Sequence, residues 1–193
     1  MTVGVLLLAA GRGRRFGRDK RLAQLKPGLT LLDATLGRLG ATGLPILVCL
    51  AADDRPLQDA MTSRGLHSAL CEHSGTGMGS TLADGMDRAP DWDGVLVALA
   101  DMPWIEPCTY LAVADALTRN VICVPTREGR RGHPVGFGRS FFSSLRSLHG
   151  DQGGRLVIDA NRDCVRELPL ADRGIHRDVD TPNDLAAGRT WSP

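Results

Sequence analysis

The 193-residue chain lacks any apolar run near the roughly 18 residues that a membrane-spanning helix requires, so no helical span is expected. The apolar stretch at residues 3–10 has no basic segment before it and runs into Gly11 and Arg12, so it does not read as a cleaved leader. Neither charge sign predominates: 23 Lys and Arg stand against 22 Asp and Glu, a formal charge of +1. A general nucleic-acid or membrane-surface binder would carry a clear basic excess, so neither partner is expected. Cys-x-x-Cys pairs are absent. The five cysteines (Cys49, Cys71, Cys108, Cys123 and Cys164) are scattered and odd in number, which predicts reduced, mostly buried thiols and a cytoplasmic location rather than disulfides or a zinc site. Internal repeats, low-complexity tracts and long linkers are missing too. The length is about 1.3 times that of a typical domain, which predicts one domain over 1–193.

What is present is a rhythm of short apolar runs and helical patterns. Runs at 3–9, 46–50, 68–71, 95–100 and 121–125 read as strands, and most do not alternate, as expected of strands buried on both faces. Helical patterns fall at 31–39, 55–64, 80–89 and 107–117, the last with Pro in its first turn, where a missing N–H costs little. Such alternation implies right-handed crossovers and a mostly parallel sheet. Beyond residue 126 the rhythm breaks into a polar turn, short strands at 134–138 and 165–168, a helix at 140–148, and a Gly-rich loop at 150–154 before another short helix. The expected fold is therefore an α/β three-layer sandwich with a mostly parallel, twisted sheet and an elaborated C-terminal lobe.

The first strand runs into Ala9-Ala10-Gly11-Arg12-Gly13-Arg14-Arg15-Phe16-Gly17-Arg18-Asp19-Lys20. In an open α/β sheet this loop falls in the ligand crevice at the carboxyl ends of the strands. Its glycines allow close backbone approach, and its N–H groups, four arginines and lysine would together satisfy a phosphate chain. A solvated basic loop without a ligand is the plainer reading. Two familiar phosphate motifs do not match. The third glycine of a dinucleotide fingerprint comes one residue late, at Gly17, and the acid about 20 positions on, Asp33, lies in a helical pattern. A Walker A loop would need Lys-Ser/Thr after Gly17.

The segment Leu8-Ala9-Ala10-Gly11-x-Gly13-x-Arg15-Phe16-Gly17-x-x-Lys20 resembles the signature loop of the molybdenum cofactor cytidylyltransferases and their guanylyltransferase relatives. The resemblance implies a nucleotide-diphospho-sugar-transferase-like, Rossmann-like fold. It places Lys20 and Arg15 on a triphosphate, and Leu8, Ala9, Ala10, Gly11 and Gly13 around the nucleotide. Three later segments match in order. Ser74–Gly85 contains Gly77-Met78-Gly79-Ser80, in which Ser80 reads as a helix N-cap and, by resemblance, Gly79 and Ser80 as nucleotide contacts. Leu99-Ala100-Asp101-Met102-Pro103 puts a carboxylate at the end of a central strand, with Ala100 beside the nucleotide. Far along, Asp178-Val179-Asp180-Thr181-Pro182-Asn183-Asp184 precedes a short helix, and Asp180 reads either as its cap or, with Asp101, as a ligand of Mg²⁺.

Arg130-Arg131-Gly132-His133-Pro134-Val135 is similar to the family's Gly-His-Pro segment, which implies that His133, Pro134 and Arg131 border a pterin-phosphate acceptor. A structural histidine is the equal alternative. The Gly-rich loop at 150–154 has a family counterpart expected near the same acceptor. The resemblance thus divides the chain into a nucleotide-binding half, 1–126, and an acceptor-binding part, 127–193. It implies Mg²⁺-dependent transfer of CMP from CTP to molybdopterin or its metal-loaded form, with a molybdoenzyme as eventual client. The competing expectations are transfer of GMP or another NMP to a different phosphorylated acceptor, a non-catalytic cofactor carrier and, least favoured, an NAD-dependent dehydrogenase.

Overall fold

The first strand, β1 (Val3–Leu8), is buried along its whole length, and its alternate residues feed two separate cores. Leu6 and Leu8 pack on one face of the sheet, and Val3, Val5 and Leu7 on the other. Apolar residues on both faces are what a central strand between two helical layers requires. The structure, a computed structural model, describes residues 1–11, 13, 16–17 and 19–189. Arg15, expected on the triphosphate, lies outside the described residues.

Beside β1 lie β4 (Ile46–Ala51) and β6 (Gly94–Leu99), both parallel to it. β5 (His67–Cys71) continues beyond β4, also in parallel. On the other side β9 (Val135–Gly138) runs antiparallel between β6 and β7 (Ile122–Arg127), and β10 (Val165–Pro169) closes the sheet parallel to β7. The order is β10-β7-β9-β6-β1-β4-β5, with the short β8 (Arg130–Arg131) paired to β7. The chain leaves β1 in one direction and returns on its other side at β6, so the strand order reverses at the carboxyl end of β1. Ligands of open α/β sheets bind at such a reversal.

Helices α1 (Leu31–Gly40), α2 (Arg55–Ser63) and α4 (Pro107–Ala116) cover one face. Helices α3 (Met78–Arg88), α5 (Phe142–Arg146) and α6 (Arg155–Ala160) cover the other. The three-layer α/β sandwich is thus borne out. The antiparallel β9 and the outer β10 are the C-terminal elaboration, built into the same sheet rather than appended to it. No described helix is long and apolar enough to cross a membrane.

One local reading holds and one changes. A reciprocal capping box starts α1: Thr30 Oγ1 accepts from the Asp33 amide at 3.1 Å, and the Asp33 carboxylate accepts from the Thr30 amide. Asp33 also pairs with Arg64 at 2.6 Å, which commits it to the helix start rather than to a ribose. Ser80 is not the N-cap of α3. That helix begins at Met78 with Gly77 before it, and the Ser80 hydroxyl instead accepts from the Gly150 amide at 2.9 Å. The hairpin β2 (Gln24–Lys26) and β3 (Leu29–Thr30) was not anticipated.

A third, smaller apolar cluster carries the C-terminus back to the first loop. Phe16, Ala23, Leu25, Leu31 and Trp104 pack with Val179 and Leu185, and the last two are almost fully buried. Burying each contributes about 1.5–3 kcal/mol. The Val179 amide donates to the backbone carbonyl of Asp101 at 3.0 Å. The Arg177 guanidinium lies over the Trp104 ring, 4.6 Å from its centre. The helix α7 (Pro182–Arg189) follows.

Candidate active site

Lys20 opens a short 3-10 turn, Lys20–Leu22, directly after the glycine–arginine loop. Its stem passes over Gly13, whose φ of 74° disfavours other residues and whose added Cβ would come within 2.9 Å of the lysine stem. The Lys20 ammonium donates to Asp101 Oδ2 at 2.6 Å, to the Val179 carbonyl at 3.1 Å and to Asp180 Oδ1 at 3.2 Å. One cation therefore joins the end of β6 to the returning C-terminal segment. Burial alone would lower its pKa, yet Asp101 and then Asp180 hold it above the usual lysine value.

Asp180 is free of capping duty. Asp184 Oδ2 accepts from the Asp180 amide at 3.1 Å, the Thr181 amide at 2.7 Å and the Thr181 hydroxyl at 2.8 Å. The Asp184 amide in turn donates to Thr181 Oγ1. Thr181 and Asp184 thus order the start of α7, and the Asp180 carboxylate turns to Lys20. That removes the capping reading of Asp180 and leaves its carboxylate on the Lys20 ammonium.

The donor set suits a small divalent cation. Asp101 Oδ1 is buried without a hydrogen-bond partner, so one oxygen of the inner carboxylate has unused acceptor capacity beside Asp180. Mg²⁺ is commonly held by one or two carboxylates, its other positions going to phosphate oxygens and water. Among the described residues no group of three or more His, Cys, Asp or Glu side chains forms a closed metal cage. Two carboxylates alone would leave most positions of such an ion to other ligands. An added Cβ on Gly11 would meet nothing within 4 Å, so the backbone at that residue is uncrowded among the described residues. Cavities of about 380, 480 and 890 Å³ elsewhere on the surface are lined by none of these residues.

Residues 5–165 match the MobA-like NTP transferase domain. The chain belongs to this family. Purine catabolism protein PucB of Bacillus subtilis (strain 168) is 27% identical over 198 residues, covering 94% of this chain and 93% of the relative. Nicotine blue oxidoreductase of Paenarthrobacter nicotinovorans is 26% identical over 189 residues, 93% of each chain. The crystal structure of Rv0371c from Mycobacterium tuberculosis H37Rv aligns with a TM-score of 0.85 at 30% identity, covering 98% of both chains. A second Rv0371c structure, in complex with manganese, aligns at a TM-score of 0.82 and 27% identity over 100% of both.

Other expected residues of this NTP transferase fall at varying distances from Lys20. Leu8 and Ala100 meet directly, since the Ala100 amide donates to the Leu8 carbonyl at 3.1 Å, and Ala9 and Ala10 follow Leu8 at the reversal point. Gly79 and Ser80 are occupied internally: both amides donate to the Gly150 carbonyl, at 2.8 and 3.3 Å, and Thr76 Oγ1 donates to the Ser80 hydroxyl. The Gly-rich loop at 150–154 is thus strapped onto the start of α3. A Cβ at Gly79 would lie 2.6 Å from the Gln152 carbonyl oxygen, which is backbone and cannot swing aside. Gly79→Ala is expected to lower stability by about 1–3 kcal/mol. Chemical unfolding with an unchanged midpoint would show that the strap yields without cost.

His133, joined to Pro134 by a cis peptide bond, does not stand apart from the carboxylates. Burial lowers its pKa while Asp101 and Asp178 act in the opposite direction, and its Nδ1 is buried without a partner. A hydrogen bond with the backbone of Val97 ties the ring to β6, the strand that leads to Asp101. Asp178 belongs to the Asp101 cluster too: burial, with the like charges of Asp180 and Asp101, raises its carboxyl above the usual range. Arg131 lies on exposed β8, where its Nε meets Glu167 at 2.8 Å.

Two features escaped the sequence reading. Arg21 is almost completely buried directly after Lys20. His73 is gripped twice by Asp84, through its amide at 2.7 Å and its Nδ1 at 2.9 Å.

Proposed function

We propose that the chain transfers CMP from CTP to the terminal phosphate of a pterin, molybdopterin or its molybdenum-loaded form, with release of pyrophosphate. The observation that carries this reading is the convergence of Lys20, Asp101 and Asp180 at the carboxyl ends of β1 and β6. Asp101 and Asp180 would hold Mg²⁺. When bound, that ion neutralises triphosphate charge and polarises the α-phosphoryl group. Lys20, with Arg15 of the same loop, stabilises the negative charge that grows on the α-phosphoryl group and the departing pyrophosphate. Leu8, Ala9, Ala10, Gly11, Gly13 and Ala100 line the nucleotide. Gly79 and Ser80 shape its far wall, since their own polar groups already have partners.

An oxygen of the acceptor phosphate attacks the α-phosphorus, and the bond from that phosphorus to the bridging oxygen of the β-phosphate breaks. A phosphomonoester has a second pKa of about 6 and is mostly dianionic at neutral pH, so no side chain need remove a proton. His133, Pro134 and Arg131 border the acceptor, on the 127–193 side of the crevice. A molybdoenzyme would receive the product. The chemistry is positioning and charge stabilisation, which accounts for a site rich in cations and carboxylates that needs no nucleophilic side chain.

The test incubates the purified chain with Mg²⁺, molybdopterin and each of the four NTPs in turn and measures pyrophosphate. CTP is expected to give the fastest release. A preference for GTP would reassign the base. Release from no NTP would reject nucleotidyl transfer to this acceptor.

A further inference from the structure

Of 21 arginines in the chain, Arg21 is only 2% exposed, and each of its three guanidinium nitrogens has a partner. Its Nη1 donates to the Ala9 carbonyl and to Asp54 Oδ2, both at 2.6 Å. Its Nε donates to Asp19 Oδ1 at 2.8 Å, its Nη2 pairs with the other Asp19 oxygen, and its own amide also donates to Asp19 Oδ1. The three partners have a common geometry. Ala9 precedes the glycine–arginine loop, Asp19 ends it, and Asp54 sits between β4 and α2, next to β1 in the sheet. One planar fork therefore fastens both ends of the loop to the neighbouring strand connection.

A buried charge is costly unless it is paired and hydrogen-bonded. Here four side-chain N–H contacts reach both oxygens of Asp19, one oxygen of Asp54 and the Ala9 carbonyl, which the three donors of an ammonium could not serve from a single point. Lys20 is the adjacent residue. Where Arg21 turns inward to the sheet, Lys20 turns to Asp101 and Asp180, so the anchoring of one fixes the backbone from which the other reaches. We propose that Arg21 is a positioning residue for nucleotidyl transfer: it clamps the two ends of the loop and so sets where the Lys20 ammonium stands. The proposal rests on the nucleotidyl-transfer reading for its kinetic consequence, but the clamp itself is a statement about the loop. Arg21 touches neither nucleotide nor acceptor and acts through Lys20.

Two variants test it. Arg21→Lys keeps the charge and removes the fork, and Asp19→Asn weakens only the tie to the loop's far end while leaving Asp54 paired. Each is examined by thermal unfolding, by amide exchange over residues 20–23, and by steady-state kinetics corrected for folded fraction. Arg21→Lys is expected to lower kcat by about 100-fold, the scale of a displacement of around 1 Å in a reacting group, with little change in the KM for CTP. Exchange over residues 20–23 is expected to quicken in both variants. Asp19→Asn is expected to show a smaller loss in kcat, and it carries the test if Arg21→Lys does not fold. A merely structural role would lower the unfolding temperature and leave kcat per folded molecule intact, and that result overturns the proposal. If the wild-type chain turns over no NTP, nucleotidyl transfer falls independently and exchange alone judges the clamp: unchanged exchange in the variants rejects it, and faster exchange upholds it.

Discussion

Lys20→Met is expected to lose transfer activity by 10²- to 10³-fold and, in the same protein, to bind Mn²⁺ more tightly when no nucleotide is present. The two effects have opposite signs because the ammonium has two sets of anionic partners. In the structure it stands 2.6 Å from Asp101 and 3.2 Å from Asp180, where its charge would oppose a divalent cation on the same two carboxylates. In the proposed reaction, a bound triphosphate would offer it a second set. Removing one well-placed donor to developing charge typically costs about 10²–10³ in kcat. A unit charge about 4 Å away contributes roughly 4 kcal/mol at an effective dielectric constant of about 20. Asp180 is half exposed, its side chain 53% accessible, so water screens much of that. A gain of around tenfold in Mn²⁺ affinity, about 1.4 kcal/mol, is the expected remainder. Electron paramagnetic resonance of free Mn²⁺ reads the affinity without any turnover. Unchanged affinity with activity lost would confine the lysine to the phosphates, and unaltered activity would remove the loop from the chemistry.

The choice of lysine at this position carries information that its neighbours do not. The chain has two lysines and 21 arginines, so a basic residue drawn without constraint would be arginine. A compact ammonium fits between two carboxylates and a carbonyl where a planar fork would project further. Arg21, by contrast, could not be singled out in the sequence, because one arginine among so many gives no sign of burial. Its role depends on Asp54, which periodicity assigns only to the turn before a helix. The glycine and aspartate motifs were readable because each spacing reflects a local requirement, such as a φ of 74° at Gly13 or a carboxylate ending a buried strand. Asp180 was ambiguous for the converse reason. Capping chemistry and metal chemistry use the same carboxylate, and only the Thr181–Asp184 pairing, seen in three dimensions, frees it. The helix start at Met78 was displaced because Gly77 and Gly79 are required by contact with the 150–154 loop, which is distant in sequence. The sheet was readable up to β7. The insertion of β9 between β6 and β7 was not, since an antiparallel strand there follows from tertiary closure rather than from local pattern.

Asp101→Asn is expected to reduce metal-dependent pyrophosphate release by about 10³-fold or more, beyond the loss of a single charge-stabilising donor, while the protein stays folded. The fold survives because the backbone carbonyl of Asp101, not its side chain, receives the Val179 amide, and an amide has the shape of a carboxylate. The side chain fails because its two oxygens have different duties. Oδ2 takes the Lys20 ammonium, and Oδ1, buried without a partner, is the oxygen available to a cation. In the variant one of the two positions becomes an NH₂ donor, which faces either the ammonium or the cation with the wrong sign. Asp180→Asn is expected to lose less, on the order of 10- to 100-fold, no more than the loss of an outer partner of a metal ligand typically costs, because water can take over at its exposed carboxylate. Circular dichroism and thermal unfolding establish that each variant is folded, and Mn²⁺ titration is expected to rank affinity as wild type, then Asp180→Asn, then Asp101→Asn. A folded Asp101→Asn protein that releases pyrophosphate at nearly the wild-type rate would show that the carboxylate at the end of β6 is not the one that holds the cation.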